Sequence, residues 1–148
     1  MYTFWKRTCP PPTLATFDAP DRETCTVRRA RTNTPLQALI LLNDPTYVEA
    51  ARKLAERVMR APSPSDGERV ALAFRLLTSR LPSAAEVHLL EAMRADHLRR
   101  FRADVAAAAK LLAVGESPRD ASLDAAEVAA WTMVASAILN LDETLTKG

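Results

Sequence analysis

Proline and helix-capping residues divide the chain at short intervals, and this punctuation limits the fold more than any other feature. The 148 residues include 10 prolines but only 3 glycines. Turns between strands repeatedly need positive φ angles, which glycine adopts most easily. A chain with so few glycines and so many prolines favours helices, because proline ends a helix and is also tolerated in its first turn.

Local signals for helix starts predict about five helices. Thr34-Pro35-Leu36-Gln37 combines a capping box with proline at the first helical position. The starts of the five predicted helices follow Thr34, Asp44, Ser65, Ser83 and Asp124. The fourth helix is predicted to continue to about Leu112. The expected fold is all-α, an irregular or orthogonal bundle over residues 34–148.

Residues 1–33 differ from the bundle in both proline content and charge. Pro10-Pro11-Pro12 excludes a helix interior and favours an extended polyproline conformation. Residues 1–34 carry six Lys and Arg against three Asp and Glu, a balance of +3, whereas the whole chain carries +2. We predict an extended, Pro-rich, basic N-terminal arm packed on the bundle, with arm and bundle forming a single domain.

Composition excludes several classes of function. A net charge of +2 is too small to argue for nucleic-acid binding. No apolar run approaches the roughly 20 residues that cross a bilayer, so no transmembrane segment is predicted. The first residues lack the apolar core of a signal peptide. We therefore expect a soluble chain with no export signal of its own.

No catalytic or metal-binding pattern is present in the sequence. There is no G-x-S-x-G elbow and no glycine-rich phosphate loop. His88 and His97 lie nine residues apart on one predicted helix, a rotation of about 900° that puts them on opposite faces. The sequence therefore names no catalytic residue, no metal ligand and no cofactor, and it leans away from an enzyme.

The two cysteines, Cys9 and Cys25, both lie in the arm. Neither belongs to a C-x-x-C pattern, which argues against zinc ribbons, thioredoxin-like sites and covalent haem. Two interpretations remain: two unrelated thiols, or a disulfide that closes the arm in an oxidising compartment.

A polar segment just before the first bundle helix is the candidate ligand site. Its residues are Arg28, Arg29, Arg31, Asn33 and Thr34. Guanidinium groups bind oxyanions through paired hydrogen bonds, and the N-terminus of a helix attracts negative charge. The segment thus predicts an anion site or a docking surface for an acidic partner. Alternatively, the arginines pin the arm by pairing with the chain's own acids, namely Asp18, Asp21, Glu23 and Asp44.

The same region carries a family resemblance. Arg31-Thr32-Asn33-Thr34-Pro35-Leu36-Gln37 followed by Leu42-Asn43-Asp44-Pro45 resembles the C-terminal part of the planctomycete-specific domain of unknown function 1553. Ala130-Trp131 and Leu139-Asn140-Leu141-Asp142-Glu143 resemble the end of that family. The resemblance implies exported, often cytochrome-c-associated bacterial proteins, a periplasmic or extracytoplasmic location, and a chain that is a fragment of a larger domain. It also makes a Cys9–Cys25 disulfide about as expected as two unrelated thiols.

Two functions follow as hypotheses. The first is a non-catalytic helical module, the C-terminal part of a larger cell-envelope protein, that acts as a scaffold or docks onto other domains of the parent protein or an acidic partner. The second is an anion or acidic-sugar binding site that supports an enzyme or electron-transfer module elsewhere in that protein. The oligomeric state is left open.

Overall fold

The computed structural model describes residues 6, 9–28, 30–63 and 65–146. These residues form helices and connecting segments, without a strand. The helices are α1 (Pro12–Thr16), α2 (Pro35–Asn43), α3 (Pro45–Arg60), α4 (Asp66–Thr78), α5 (Ala84–Ala103), α6 (Val105–Leu112), α7 (Ala125–Leu139) and α8 (Asp142–Leu145). The predicted all-α bundle is confirmed.

Side-chain caps begin the helices at the positions that the sequence predicts. Thr34 and Gln37 form the expected capping box: the Gln37 amide donates to Thr34 Oγ1 over 3.3 Å, and Gln37 Oε1 accepts from the Thr34 amide over 2.9 Å. Asp44 both ends α2 and caps α3, so one residue joins these two helices. Each cap satisfies an amide that the first turn of a helix leaves without an intrahelical partner.

Helix α7 lies at the centre of the bundle. Nine of its residues are buried, and they point in all directions around the helix axis. Trp131, Val134 and Ile138 pack with Val58 of α3 and Phe74 of α4 in the main core cluster. A second cluster joins α6 to the start of α7. A helix that is apolar on every side is expected to be surrounded, as α7 is.

Three details of the helices differ from the sequence prediction, namely helix α1, the division of the fourth helix, and the short helix α8 after α7. The arm contains a short helix, α1, that was not predicted; Pro12 occupies its first position, where a missing N–H costs nothing. The long fourth helix is divided into α5 and α6 at Asp104, whose side chain accepts from the Ala107 amide over 2.9 Å and starts a new helix. The cap at Asp104 thus divides the helix, although the predicted apolar stripe continues from α5 into α6.

Among the described residues, none of the helices combines the length and the apolar character needed to cross a bilayer.

Candidate docking surface

Helix α2 carries leucines on both its inner and its outer side. Gln37 and Leu41 are buried on the inner side. Leu36, Leu39 and Leu42 remain 55%, 56% and 48% exposed. Their i, i+3, i+6 spacing places the three leucines within an arc of about 120°. We call these three residues the leucine face.

The buried Gln37 side chain ties the arm to α2. Its Nε2 donates to the backbone oxygen of Thr16, over 2.8 Å, and to Thr32 Oγ1, over 3.1 Å. Its Oε1 accepts from the Thr34 amide. Both polar atoms of this side chain, which is only 1% exposed, are therefore hydrogen-bonded, and they hold two parts of the arm against the start of α2.

Aromatic packing provides a second anchor for the arm. The rings of Phe17 and Tyr47 lie 5.8 Å apart between centroids and are tilted by 58°. Burial raises the pKa of the Tyr47 hydroxyl, and the nearby Asp44 carboxylate raises it further. The end of α1 is thereby held on the first turns of α3.

The polar segment predicted to bind anions makes hydrogen bonds to acids of the chain itself. The Thr32 amide donates to Asp18 Oδ2 over 2.8 Å, and its hydroxyl bonds to the same carboxylate. Asn33 Nδ2 donates to Asp142 Oδ1 over 2.8 Å, which ties the arm to α8. Thr34 is engaged in the cap of α2.

The arginines of that segment are placed differently from one another. Arg28 is exposed, and Arg29 lies outside the described residues. Arg31 is also exposed and lines an open cleft of about 450 Å³ that Asp18 and Gln37 line as well. The structure thus brings Arg31 close to the Thr32–Asp18 contact.

Cys9 and Cys25 are both exposed, free thiols. The structure therefore does not contain the disulfide that was considered from the sequence.

A charged network on α3 holds the loop of residues 115–120, and no local pattern in the sequence predicts it. Arg52 and Glu56 are buried at 1% and 4% exposure and pair over 3.3 Å. Arg52 also donates to the Ser117 backbone oxygen over 2.7 Å. Glu56 accepts from Lys53 Nζ, over 3.0 Å, and from the Asp120 amide, over 3.1 Å.

Glu49 and Arg60 extend this network to the two ends of the loop. Glu49 accepts from the amides of Glu116 and Ser117 over 2.7 and 3.0 Å, and hydrogen bonding with Ser117 and Glu116 lowers its pKa. Arg60 donates to Asp120. Hydrogen bonds from Ser122, together with Arg60, lower the pKa of Asp120 to about 2. Gly115 permits the tight approach, since its φ is +96° and a Cβ there would lie 2.1 Å from Glu49 Oε2.

Arg80 links helices α4, α5 and α8. It donates two hydrogen bonds to Glu86, of 3.0 and 2.7 Å, and two to Glu143, of 2.7 and 2.6 Å. Its guanidinium carbon lies 4.6 Å from the centre of the Phe74 ring. Hydrogen bonding to Arg80 lowers the pKa of Glu86 to about 2 and also lowers that of Glu143. Glu143 is therefore a structural partner of Arg80.

The two histidines occupy separate environments on α5. His88 is exposed, whereas His97 stacks on Phe101 with ring centroids 6.1 Å apart. Burial lowers the pKa of His97, and Arg100 adds to the effect. Within the described part of the chain, no group of three or more histidine, cysteine, aspartate or glutamate side chains is arranged to hold a metal ion.

Comparison with known protein families assigns the chain to one of them. No curated protein and no solved structure matches the chain significantly. A family model with the description "PSD1: Protein of unknown function (DUF1553)" matches residues 1–94. This match covers well over half of the 148 residues and includes the arm and the leucine face. The chain belongs to the PSD1 family of proteins of unknown function (DUF1553).

Proposed function

We propose that this chain is a non-catalytic helical module that docks onto a partner surface through the leucine face of α2. The observation that carries the proposal is the exposure of three leucines on one side of a helix whose opposite side is packed. Completing the burial of three half-exposed leucines contributes about 3 kcal/mol. That gain is large enough to orient a partner.

The charge of the segment that precedes α2 in the sequence points to the chemistry of the partner. The exposed Arg28 and Arg31 precede α2, and residues 1–34 carry a balance of +3. A partner with an apolar centre and an acidic rim complements both features. The proposed partner is another domain of a longer polypeptide. Three leucines supply much less than the roughly 800 Å² that each partner buries in a stable complex of separate chains, whereas linkage in one chain makes a small interface sufficient.

A scaffold role in a planctomycete cell envelope, outside the cytoplasm, belongs to the same proposal and rests on the family resemblance. Fractionation of cells that express the natural protein tests this part. Recovery of the protein in the cytoplasmic fraction would remove it.

Titration with designed peptides tests the docking surface. Two helical peptides share a leucine stripe, but one has glutamates and the other lysines beside it. We expect the glutamate peptide to shift the NMR amide signals of α2 in the full chain and the lysine peptide to bind at least several-fold more weakly. Leu39→Glu should abolish the shifts. Leu89→Glu, which changes a leucine 68% exposed on α5, is the matched control.

Three outcomes would overturn the proposal. The first is equal binding of the two peptides, and the second is shifts that survive Leu39→Glu. The third is a concentration-dependent dimer, seen by sedimentation and lost in Leu39→Glu, which would make a second copy of the chain the partner.

Anion binding at Arg28, Arg29, Arg31, Asn33 and Thr34 is the alternative function. The open cleft beside Arg31 supports it, because an oxyanion has room there. Asp18 and Asp142 count against it, since their carboxylates already accept from Thr32 and Asn33 and would repel a second anion. Docking is therefore the better-supported function. Calorimetric titration with uronic oligosaccharides tests the alternative, and an absence of heat would remove it.

A further inference from the structure

A cleft of about 450 Å³ lies between the last turns of α3 and the loop of residues 115–120. It is distinct from the leucine face and from the arm. We call it the α3 cleft. The side chains that line it are those of Lys53, Glu56, Arg57, Arg60, Pro118, Arg119 and Asp120.

Charges in the α3 cleft are layered, with acids inside and cations outside. The side chains of Glu56 and Asp120 are 5% and 10% exposed, and their oxygens accept hydrogen bonds from the chain itself. Lys53 and Arg60 are 40% and 63% exposed. With Arg57 and Arg119, four cations face two carboxylates, which leaves two positive charges in excess at the solvent side.

Arg57 and Arg119 are the two members of the cleft whose binding capacity is unused. Both are exposed, and neither side chain makes a hydrogen bond or ion pair with a described residue. They approach the same cleft from different elements, Arg57 from α3 and Arg119 from the loop. Two planar guanidinium groups that border one cleft can each donate a pair of parallel hydrogen bonds to an oxyanion.

We propose that the α3 cleft binds a tetrahedral oxyanion, a phosphate group either free or carried as a monoester, with Arg57 and Arg119 as its main ligands. Lys53 and Arg60 add positive charge and hold the loop in place through Pro118 and Asp120. The C-terminal end of α3 contributes about half a negative charge. The two excess positive charges outweigh it. A divalent anion is favoured over a monovalent one of the same size because attraction scales with charge.

Calorimetry and NMR on the full chain test the proposal with inorganic phosphate, glucose 6-phosphate and acetate. We expect phosphate to bind with a Kd on the order of 1 mM at low salt and acetate to bind at least ten-fold more weakly. The double substitution Arg57→Gln/Arg119→Gln should weaken phosphate binding about ten-fold or more. The control, Arg75→Gln/Lys110→Gln, removes the same charge from two exposed cations outside the cleft.

The comparison of inorganic phosphate with glucose 6-phosphate also shows whether the site binds the free ion or a phosphate monoester. Glucose 6-phosphate binding as tightly as phosphate supports a site for phosphate monoesters, whereas weaker binding of the ester supports a site for the free ion. The proposal is overturned if neither phosphate compound shifts the amide signals of residues 115–120. It is also overturned if the control pair weakens binding as much as the arginine pair, because net charge alone would then explain the effect.

Discussion

Two irregular segments, the arm and the loop of residues 115–120, are fixed to the same helical bundle by different kinds of interaction. The arm is held by hydrogen bonds of Thr32, Asn33 and Gln37, and among these three only Gln37 is buried. The loop is held by charged side chains of α3, of which Arg52 and Glu56 are buried. Breaking a buried ion pair costs more than breaking an exposed hydrogen bond. The loop should therefore be the more firmly fixed of the two.

The largest expected effect comes from removing the centre of the loop network. Arg52→Ala leaves the buried Glu56 carboxylate without one of its cationic partners. It should lower the free energy of unfolding by about 3–5 kcal/mol, measured by chemical denaturation. Arg57→Ala on the exposed side of the same helix, in phosphate-free buffer, should change little. If both variants lose the same free energy of unfolding, the buried ion pair stabilises the fold no more than an exposed arginine does.

An intermediate effect is expected when the hold on the arm is broken. Gln37→Glu retains an acceptor for the Thr34 amide but loses the donor to Thr16 and Thr32. The cost should be about 2 kcal/mol, with faster trypsin cleavage after Arg22 and Arg28. Leu39→Gln on the outer side of α2 should leave the cleavage rate unchanged. If cleavage of Gln37→Glu is as slow as in the wild type, other contacts fix the arm.

The smallest expected effect is a dependence of loop attachment on acid pH. The lowered pKa of Asp120 means that its ionised form is favoured in the folded chain. Its contribution to stability is fully present above the ordinary pKa of 3.8 and is lost as the pH falls through about 2. Melting curves from pH 6 to pH 2 should show a shallower acid decline for Asp120→Asn than for the wild type.

Glu116→Gln provides the comparison for that measurement, because it removes an exposed carboxylate from the same loop. It should keep the acid decline of the wild type. A decline that is equally steep in Asp120→Asn would mean that the loop is held without this carboxylate.

Features set within one turn of helix could be predicted from the sequence. The capping box of Thr34 and Gln37, the shared residue Asp44 and the start after Ser83 are each defined by residues no more than three positions apart. Their hydrogen bonds join residues that are neighbours in the sequence, and the structure has them as predicted. The division between α5 and α6 was not predicted, although Asp104 is a good capping residue.

Features that join distant parts of the chain could not be found in this way. Arg52 and Glu56 are spaced like an ordinary exposed i, i+4 pair, and the loop that they hydrogen-bond lies some 64 residues later in the chain. Arg80 and Glu143 are separated by 63 positions. The leucine face is different, because Leu36, Leu39, Leu41 and Leu42 lie within one short helix and cannot all face the core. An exposed apolar face on α2 is therefore a local feature of the sequence.

The single residue between α2 and α3 has a mechanical consequence. Asp44 ends one helix and begins the next, and Pro45 fixes the backbone immediately after it. Because no further residue separates the two helices, α2 cannot turn about its own axis without moving α3. The direction in which the three leucines point is consequently coupled to the orientation of α3 in the core. Inserting one alanine after Asn43 would turn that direction by about 100° and would leave the leucines themselves intact.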